Sequence, residues 1–493
     1  MNLTSLFEPR RDRVELYVLL GLCLLCVLGH LWIGVISAEF TYGRSPQETP
    51  TALYMALASA LAIVCISTIP LIRRLAPTWR LIGLIFIIGL TVRLCMFGST
   101  PVLEDDWHRY LWDGAVVANG GDPYQFAPAD ATPVTRLGEI NDWSDDPDLL
   151  RIQDLSEEDF ETYWRINYPY LKTIYPPVAQ AAFALGYIVS PFDLNGWRAV
   201  LLVFDISAFA LLVLTLRLYG HSPLWATLYW WNPVVTLEVF NAGHMDGLIV
   251  PFLIGVLALA KLRKPRLAVF ALSVAAAVKL WPALLAPALV RKWMFRPLPL
   301  AGFALLFLGA ALFLMWPQLQ YVLSDPDQGL VAYGQSWRRH AFLFSALADG
   351  PFRDFADPDR AARNISGILM VLGTLFLAYR SEGGTDTLPE TMLLTTALLL
   401  FLSPTGYPWY QVWIAAFIPF APRYGALALM VFAPIYYMRF LLGDSDAFYQ
   451  WVLVPIAFGI PILLFAVEPL LGQKRSYAQS KKPAHIGDYS RPE

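Results

Sequence analysis

Residues 14–37 read VELYVLLGLCLLCVLGHLWIGVIS, an apolar run whose only acidic residue is Glu15. A helix that crosses a membrane needs about 20 mostly apolar residues, so this run is long enough to span. Basic residues precede it at positions 10, 11 and 13, and it is longer than the apolar core of a cleavable signal peptide, which has about 7–15 residues. The sequence therefore predicts that this run is a permanent membrane span.

Similar apolar runs recur along the whole chain. They cover 51–72, 81–98, 198–217, 247–260, 298–316, 365–379, 391–403, 424–441 and 449–471. The chain is 57% hydrophobic and only 15% charged, whereas charged residues make up about 25% of ordinary soluble domains. These features predict an all-α protein, a polytopic transmembrane helical bundle of about 11–13 helices, and they exclude an ordinary soluble enzyme. No nucleic-acid partner is expected.

Acidic and basic residues are unevenly distributed. Residues 99–173 hold 16 of the 39 acidic residues of the chain but only five of its 36 basic residues. Short loops rich in Lys and Arg tend to stay in the cytoplasm, and the basic clusters lie elsewhere, at 10–13, 73–80, 261–266, 291–296 and 474–482. The sequence predicts four parts: a three-helix membrane segment 1–98, an acidic extracytoplasmic loop 99–173 with short interfacial helices, a membrane helical bundle 174–472, and a disordered cytoplasmic tail 473–493.

Two of the basic clusters conflict with a simple count of spans. Both 261–266 and 291–296 are expected in the cytoplasm, yet only about 24 residues separate them, which is the length of one span and not of two. One solution is a pair of half-length helices that meet at Lys279-Leu280-Trp281-Pro282. Broken helices are tolerated at membrane depth where they line a cavity. The other solution is a single span with one basic cluster outside.

The acidic loop opens on three consecutive carboxylates, Glu104, Asp105 and Asp106. If a helix follows them, Asp106, Arg109 and Asp113 share one face of it. Three adjacent carboxylates repel one another, so at least one should have a raised pKa, which suits a general base or a metal ligand. A solvated acidic end of an interfacial helix would give the same pattern, and the sequence leaves both interpretations open.

Five further motifs place polar or aromatic residues beside apolar runs: Ile174-Tyr175-Pro176-Pro177, Asn241 to Gly247 with His244 and Asp246, Lys279 to Pro282, Ser336 to His340 with Arg338 and Arg339, and Ser403 to Tyr410 with Trp409. Ionisable residues beside or inside a membrane are functional candidates because they are costly there. Paired arginines suit a phosphate and aromatic rings suit a sugar. Structural alternatives are a proline-fixed helix start, a helix cap, a snorkelling lysine, solvated arginines and an aromatic interface belt.

Taken together and in this order, these motifs resemble the polyprenol-phosphate-sugar-dependent glycosyltransferases of the C fold class, in particular the bacterial mannosyltransferase-like branch. The resemblance rests on an acidic pair before Arg109 to Gly114, on Asp122-Pro123-Tyr124, on Asn232-Pro233 and on the five motifs above, and it covers 100–415. Two features depart from the pattern. The acidic element is Glu-Asp-Asp where many members have a spaced Asp-x-Asp, and three spans precede it where many members have one.

The resemblance implies an enzyme of the bacterial inner membrane that works on the extracytoplasmic face. It would move a sugar, mannose by best estimate, from a polyprenyl-phosphate donor to a hydroxyl of a glycan, lipid or protein acceptor, with inversion. Asp105 or Asp106 would be the catalytic base, and some members of the class hold a divalent cation at this acidic pair. The substrate-binding candidates are Glu104, Arg109, Asp113, Tyr175, His244, Asp246, Lys279, Arg338, Arg339, Trp409 and Tyr410.

Two other functions fit parts of the sequence. A lipid-linked sugar flippase or transporter would also have intramembrane charges and broken helices. Transporters of that kind usually contain two related halves, whereas the acidic loop here has no counterpart. An oligosaccharide polymerase or ligase with a diphosphate donor is the third alternative.

Overall fold

The computed structural model of the chain describes residues 10–131, 146–324 and 329–471. Predictions for the tail 473–493 and for the centre of the acidic loop, 132–145, lie outside these residues. Throughout the described ranges the regular structure is helical, and the only β contact there is an isolated bridge between Arg339 and Thr405.

The α-helices are numbered in chain order, and short 3-10 and π-helical turns connect several of them. They are α1 Arg10–Ser37, α2 Thr51–Ile66, α3 Ile69–Ile72, α4 Trp79–Phe97, α5 Trp107–Ala118, α6 Pro147–Glu158, α7 Phe160–Trp164, α8 Pro177–Val189, α9 Leu194–Leu218, α10 Thr227–Trp230, α11 Val250–Lys261, α12 Pro265–Val278, α13 Ala286–Val290, α14 Pro297–Val322, α15 Gly329–Ser336, α16 Leu343–Ala348, α17 Pro358–Arg380, α18 Leu388–Leu402, α19 Gln411–Ala415, α20 Tyr424–Phe432, α21 Arg439–Leu442 and α22 Val454–Val467.

Eight helical segments of the described chain are long and apolar enough to cross a membrane: Val14–Ser37, Thr51–Ile72, Trp79–Phe97, Leu194–Leu218, Pro297–Val322, Pro358–Arg380, Tyr424–Leu442 and Tyr449–Leu470. The outermost of them, α14, exposes Leu298 and Phe313 almost fully, and lipid would cover such side chains. The predicted all-α polytopic membrane bundle is confirmed. The full-length spans are fewer than the predicted 11–13 because other apolar runs fold into half-length helices.

Prolines set the start of several of these helices. Pro177, Pro265, Pro297 and Pro358 are the first residues of α8, α12, α14 and α17. The first N–H groups of a helix have no partner within it, so a proline there loses no hydrogen bond and its fixed φ favours the helix. The prolines of the Tyr-Pro-Pro motif therefore have the structural role that their position predicts.

One face of the bundle, which we call the loop face, carries the acidic loop. The Arg165 guanidinium of that loop lies 4.4 Å from the centre of the Tyr42 ring, in the connection after α1. The Tyr321 hydroxyl at the end of α14 donates to Asp122 Oδ2 at 3.0 Å. Residues that are far apart in sequence thus meet on the same face.

The opposite face, which we call the basic face, gathers the short basic connections. Lys261 at the end of α11 forms an ion pair with Asp386, and Arg291 Nε donates to the Tyr379 carbonyl at 3.1 Å. The short basic connections therefore lie on the face opposite the acidic loop, as expected for a membrane protein whose basic loops stay on one side.

Residues 223–261, which we call the first hairpin, enter and leave the bundle at the basic face. The Lys261 ammonium lies 4.9 Å from the Tyr219 ring, just before the hairpin begins. At the tip, Val235–Asn241 and Met245–Lys261 meet at an angle of 115°. Gly243 takes a φ of +77° there, a conformation that favours glycine, and its carbonyl accepts a hydrogen bond from Trp197 Nε1 at 2.7 Å near the start of α9.

Residues 265–290, the second hairpin, also return to the basic face. Its first half, α12, ends at Val278, Lys279 is extended, and a 3-10 helix, Trp281–Leu285, begins the descent. Beyond its end, the backbone of Lys292 packs against Gly383, in the same connection that pairs with Lys261. The prediction of two half-length helices is confirmed, and the alternative of a single span is wrong.

Residues 388–423, the third hairpin, repeat this course. Its ascending half is α18, its tip is 403–410, and its descending half begins with α19. Arg423 at its end forms an ion pair with Glu390 near its start. Three broken hairpins therefore rise from the basic face, and their tips meet beneath the acidic loop.

Labelling of cysteines on both sides of the second hairpin tests this course. Leu262 and Phe295 are exposed at its two ends, and a cysteine at either position should react with an impermeant thiol reagent from the same side of the membrane. Cys23, Cys26 and Cys65 are buried, so the background should be low once the half-buried Cys95 is replaced by serine. Labelling of the two positions from opposite sides would contradict the hairpin.

A buried amide and a buried guanidinium join the first hairpin to the start of the acidic loop. Asn241 Oδ1 accepts from the Val102 N–H at 3.0 Å, and Asn241 Nδ2 donates to the Thr100 carbonyl at 2.8 Å. Arg198 Nη2 donates to the carbonyls of Ser99 and Asn241 at 3.1 and 2.7 Å. Because buried backbone groups need partners, these bonds fix the chain just before the three carboxylates.

Candidate functional site

A cavity of about 810 Å³ lies between the acidic loop and the tips of the second and third hairpins. This volume falls in the range of small-molecule sites, about 300–1,000 Å³. The cavity brings together nine of the residues expected at a site: Glu104, Asp105, Asp106, Arg109, Tyr175, Lys279, Arg339, Trp409 and Tyr410. Four expected residues, Asp113, His244, Asp246 and Arg338, are not part of its lining.

The three carboxylates form one wall of the cavity. Asp106 is the N-cap of α5, which begins at Trp107 and therefore presents the acidic residues at its N-terminus. Leu103 takes a φ of +57° immediately before them. Such a conformation costs a residue with a side chain about 1–3 kcal/mol and needs support from its surroundings, which the hydrogen bonds of Asn241 to Val102 and Thr100 provide.

The surroundings of the carboxylates differ. The Asn167 amide donates to Asp105 Oδ1, and burial raises the pKa of Asp105 while the Asn167 hydrogen bond and the charge of Arg165 oppose this. Burial and the charge of Asp105 raise the pKa of Asp106 to about 6, while Asn167 and Lys279 oppose the rise. The pKa of a general base should lie near the working pH, so Asp106 suits that role.

Glu104 differs from both. Burial, together with the neighbouring carboxylates Asp106, Glu238 and Asp105, raises its pKa well above the usual range for glutamate. Its Oε1 atom is buried without a hydrogen bond in the described structure. A raised pKa favours the protonated form of the carboxyl group, so Glu104 suits the donation of a hydrogen bond better than the role of a base.

Lys279, at the tip of the second hairpin, provides a cation on a second wall. Its ammonium donates to Asp246 Oδ1 at 2.8 Å and lies 4.5 Å from the centre of the Tyr410 ring. Asp246 Oδ1 also accepts from Trp413 Nε1 at 2.6 Å. Asp246 thus lies behind the wall as the counter-ion that positions the lysine.

Two arginines form the remaining cationic wall. Arg439 binds Asp444 in a bidentate manner, with Nε to Oδ1 at 2.7 Å and Nη2 to Oδ2 at 2.8 Å, and Arg339 forms an ion pair with the same Oδ2. Arg439 Nη1 also donates to the Tyr436 hydroxyl at 2.6 Å. Two guanidinium groups that share one carboxylate leave a surplus positive charge at the cavity, and guanidinium geometry matches phosphate well.

Arg338 does not belong to this wall, which corrects the expectation from the motif. Its guanidinium forms ion pairs with Asp349 and Asp359, the latter at 3.0 Å, outside the cavity. The neighbouring Arg339 lies in the bridge to Thr405, and successive side chains of an extended segment point to opposite sides. Only one of the two arginines can therefore face the cavity.

Asp113 is a second correction. Its Oδ1 accepts from Arg109 Nε at 2.7 Å, and its Oδ2 accepts from Thr173 Oγ1 and from Gln180 Nε2 at 2.9 Å. Only 1% of the Asp113 side chain is exposed, so a substrate cannot reach its carboxylate. Its role is to hold Arg109, whose side chain lines the cavity.

Trp409 and Tyr410 both line the cavity, but both ring faces of Trp409 are covered, whereas one face of Tyr410 is. Trp409 stacks on His244 and on Tyr407, with ring centres 3.8 and 4.3 Å away, and two rings so close must lie on opposite faces. Tyr410 stacks on Trp413 at 4.3 Å, and Lys279 approaches it as described above. The Lys279 ammonium also lies 5.0 Å from the Trp413 ring, so it sits beside the stacked pair and not over the second face of Tyr410. The expectation of sugar stacking is corrected for Trp409, and for Tyr410 it stays a prediction.

His244 is buried behind Asp106 instead of lining the cavity. Its Nδ1 lies 4.0 Å from Asp106 Oδ2, and neither ring nitrogen has a hydrogen bond in the described structure. Tyr175 does line the cavity, and its backbone carbonyl accepts from the Tyr124 hydroxyl at 2.7 Å.

Two cavity residues that bear on its charge, Arg439 and Asn167, do not belong to the sequence-based site. Arg439 lies inside the predicted span 424–441, and an arginine in a span is itself a signal of function, so it could have been found. Asn167 belongs to no motif and contacts Asp105 across 62 positions, which no local pattern shows.

In the described ranges no three side chains of His, Cys, Asp and Glu lie together in a way that could hold a metal ion. A divalent cation at Asp105 and Asp106 would complete its coordination with oxygen atoms of water or substrate, and it stays a prediction. Comparison with models of known protein families gives no match to this chain, and comparison with curated proteins gives none either.

Proposed function

We propose that this integral membrane protein is a glycosyltransferase that moves a sugar from a polyprenyl-phosphate donor to an acceptor hydroxyl. The observation that carries the proposal is the shared cavity, which is lined both by the carboxyl groups of Glu104 to Asp106 and by the cations Lys279, Arg339 and Arg439. Transfer from a lipid phosphate needs both: a base for the acceptor proton and cations for the leaving phosphate.

The reaction follows from this arrangement. Asp106 takes the proton of the acceptor hydroxyl as that oxygen attacks the anomeric carbon from the side opposite the phosphate. The bond between the anomeric carbon and the phosphate oxygen breaks, and the polyprenyl phosphate leaves with the electron pair, stabilised by Arg339, Arg439 and Lys279. A single displacement inverts the anomeric configuration.

The lipid part of the donor also has a suitable environment. Leu280, Leu330 and Phe440 line the cavity together with the polar groups, so apolar side chains are available to contact a polyprenyl chain. The working side is proposed to be the extracytoplasmic face of a bacterial inner membrane, because the basic connections lie on the opposite face of the bundle. The sugar is proposed to be mannose on the resemblance of the motifs alone.

A lipid-linked sugar flippase is a second candidate, favoured by the three broken hairpins, since discontinuous helices are common in transporters. One experiment separates the two functions. The purified chain is reconstituted in liposomes with polyprenyl-phosphate [³H]mannose and a glycolipid extract as acceptor. The enzyme should release polyprenyl phosphate and label the acceptor. A transporter would move the intact donor between leaflets, and that result without any cleavage would refute the glycosyltransferase.

A further inference from the structure

Asp444 is the carboxylate that Arg339 and Arg439, the two arginines of the cavity, share. It follows Gly443, which has a φ of +94° with open space around it, in the short connection between α21 and the π-helix Tyr449–Leu453. Its side chain is 37% exposed. In the described residues its ion-pair partners are Arg339 and Arg439.

The geometry of this contact is that of a guanidinium with an oxyanion ligand. Both Asp444 oxygens are used by Arg439, at 2.7 and 2.8 Å, and Oδ2 is shared with Arg339. A phosphate offers the same arrangement of oxygens with at least as much negative charge, and it forms the same bidentate bonds with arginine. Both arginines also line the cavity.

We propose that Asp444 is an internal substitute for the lipid phosphate, which holds Arg339 and Arg439 in place when the cavity is empty and is displaced when a polyprenyl phosphate binds. This inference rests on the proposed function for the identity of the ligand. The exchange keeps the arginines paired throughout, so neither guanidinium is left without an anion as donor enters or product leaves. Because Asp444 competes with the phosphate, it weakens donor binding and favours release of the product.

The test is the affinity of the full-length purified protein for a short-chain polyprenyl phosphate. Asp444→Asn removes the competing charge but keeps the size of the side chain, and it should bind the lipid phosphate roughly three- to tenfold more tightly than the wild type. A variant that merely disturbs the fold would lose affinity, so a gain is specific. Asp349→Asn is the matched control, because Asp349 forms the same kind of ion pair with Arg338 outside the cavity, and it should leave the affinity unchanged.

A double variant tests whether the gain in affinity for polyprenyl phosphate depends on the cavity arginines. In the Asp444→Asn protein, further replacement of Arg339 by Gln should abolish the tighter binding, as expected for residues that act on one site. Unchanged or weaker binding by Asp444→Asn, or an equal gain from Asp349→Asn, would overturn the inference. The binding assay needs no turnover, so it is independent of the test for sugar transfer. Tighter binding by Asp444→Asn without any sugar transfer would refute only the proposed glycosyltransferase activity. Sugar transfer without tighter binding by this variant would refute only the role of Asp444. If no form bound polyprenyl phosphate, both would fall.

Discussion

Replacement of Asp106 by Asn should lower the rate of sugar transfer by about 10²–10⁴-fold, because general-base catalysis typically contributes that much. Asparagine keeps the size of the side chain and its position at the N-terminus of α5 but cannot take a proton. Donor affinity should change little, since the lost basicity acts only as the acceptor is deprotonated. The measurement is a single-turnover rate together with the dissociation constant of the donor.

The neighbouring carboxylates are the controls for this variant. Asp105→Asn should have a smaller effect because the charge of Arg165 opposes the rise that burial causes in the pKa of Asp105 and makes it a weaker base than Asp106. Glu104→Gln should also have a small effect because glutamine keeps the size of the side chain and a hydrogen-bond donor. If Asp106→Asn retained near-normal turnover, the acidic wall would be only a helix cap, and the proposed chemistry would lose its base.

With Asp106 as the general base, the rate of sugar transfer should depend on pH through the pKa of this residue. The pKa of Asp106 is raised to about 6, mainly by burial and by the charge of Asp105. A base works only in its deprotonated form, so transfer should be fully active above about pH 7 and should fall as the pH decreases through about 6. A rate that was flat from pH 5 to 8 would point to another base.

Replacement of Arg439 by Gln should weaken donor binding by about 10- to 100-fold, because hydrogen bonds to charged groups contribute about 1.5–3 kcal/mol. Asp444 keeps Arg339 as its partner in this variant, so no carboxylate is left unpaired and the fold should be retained. The control is Arg338→Gln, the same change at the arginine that faces away from the cavity. Equal losses in both variants would mean that the effect is not local to the cavity.

Lys279 is a less useful test of phosphate binding, although the sequence points to it. Its ammonium pairs with Asp246, whose side chain is 1% exposed, so Lys279→Met would leave a buried carboxylate without its partner. Removal of one member of a buried ion pair typically costs about 3–5 kcal/mol of stability. Loss of donor binding in that variant would therefore not distinguish a broken site from a broken fold.

Periodic and local features of the sequence predicted most of the architecture. Apolar runs such as 14–37 became helices of membrane length, and the spacing of two basic clusters revealed the broken second hairpin. The sequence did not predict the third hairpin, because the length and composition of an apolar run such as 391–403 do not show whether the chain crosses the membrane or turns back within it.

The site was predictable in its residue types but not in the directions of its side chains. Arg338 and Arg339 are equivalent in sequence, and only the bridge of Arg339 to Thr405 decides which of them faces the cavity. Trp409 was expected to stack on a sugar, yet His244 and Tyr407 already cover its faces. Asp113 was expected at the substrate, but Thr173 and Gln180, both distant in sequence, complete its hydrogen bonds. Contacts of this kind depend on the tertiary fold.

A structure of the Asp106→Asn protein with a bound polyprenyl-phosphate mannose would test the proposed donor site most directly. We expect the phosphate to contact Arg439 and Arg339 in place of Asp444, and the anomeric carbon to face residue 106 within the cavity. Donor density outside this cavity, or a phosphate beside the acidic wall with the arginines still bound to Asp444, would contradict this expectation.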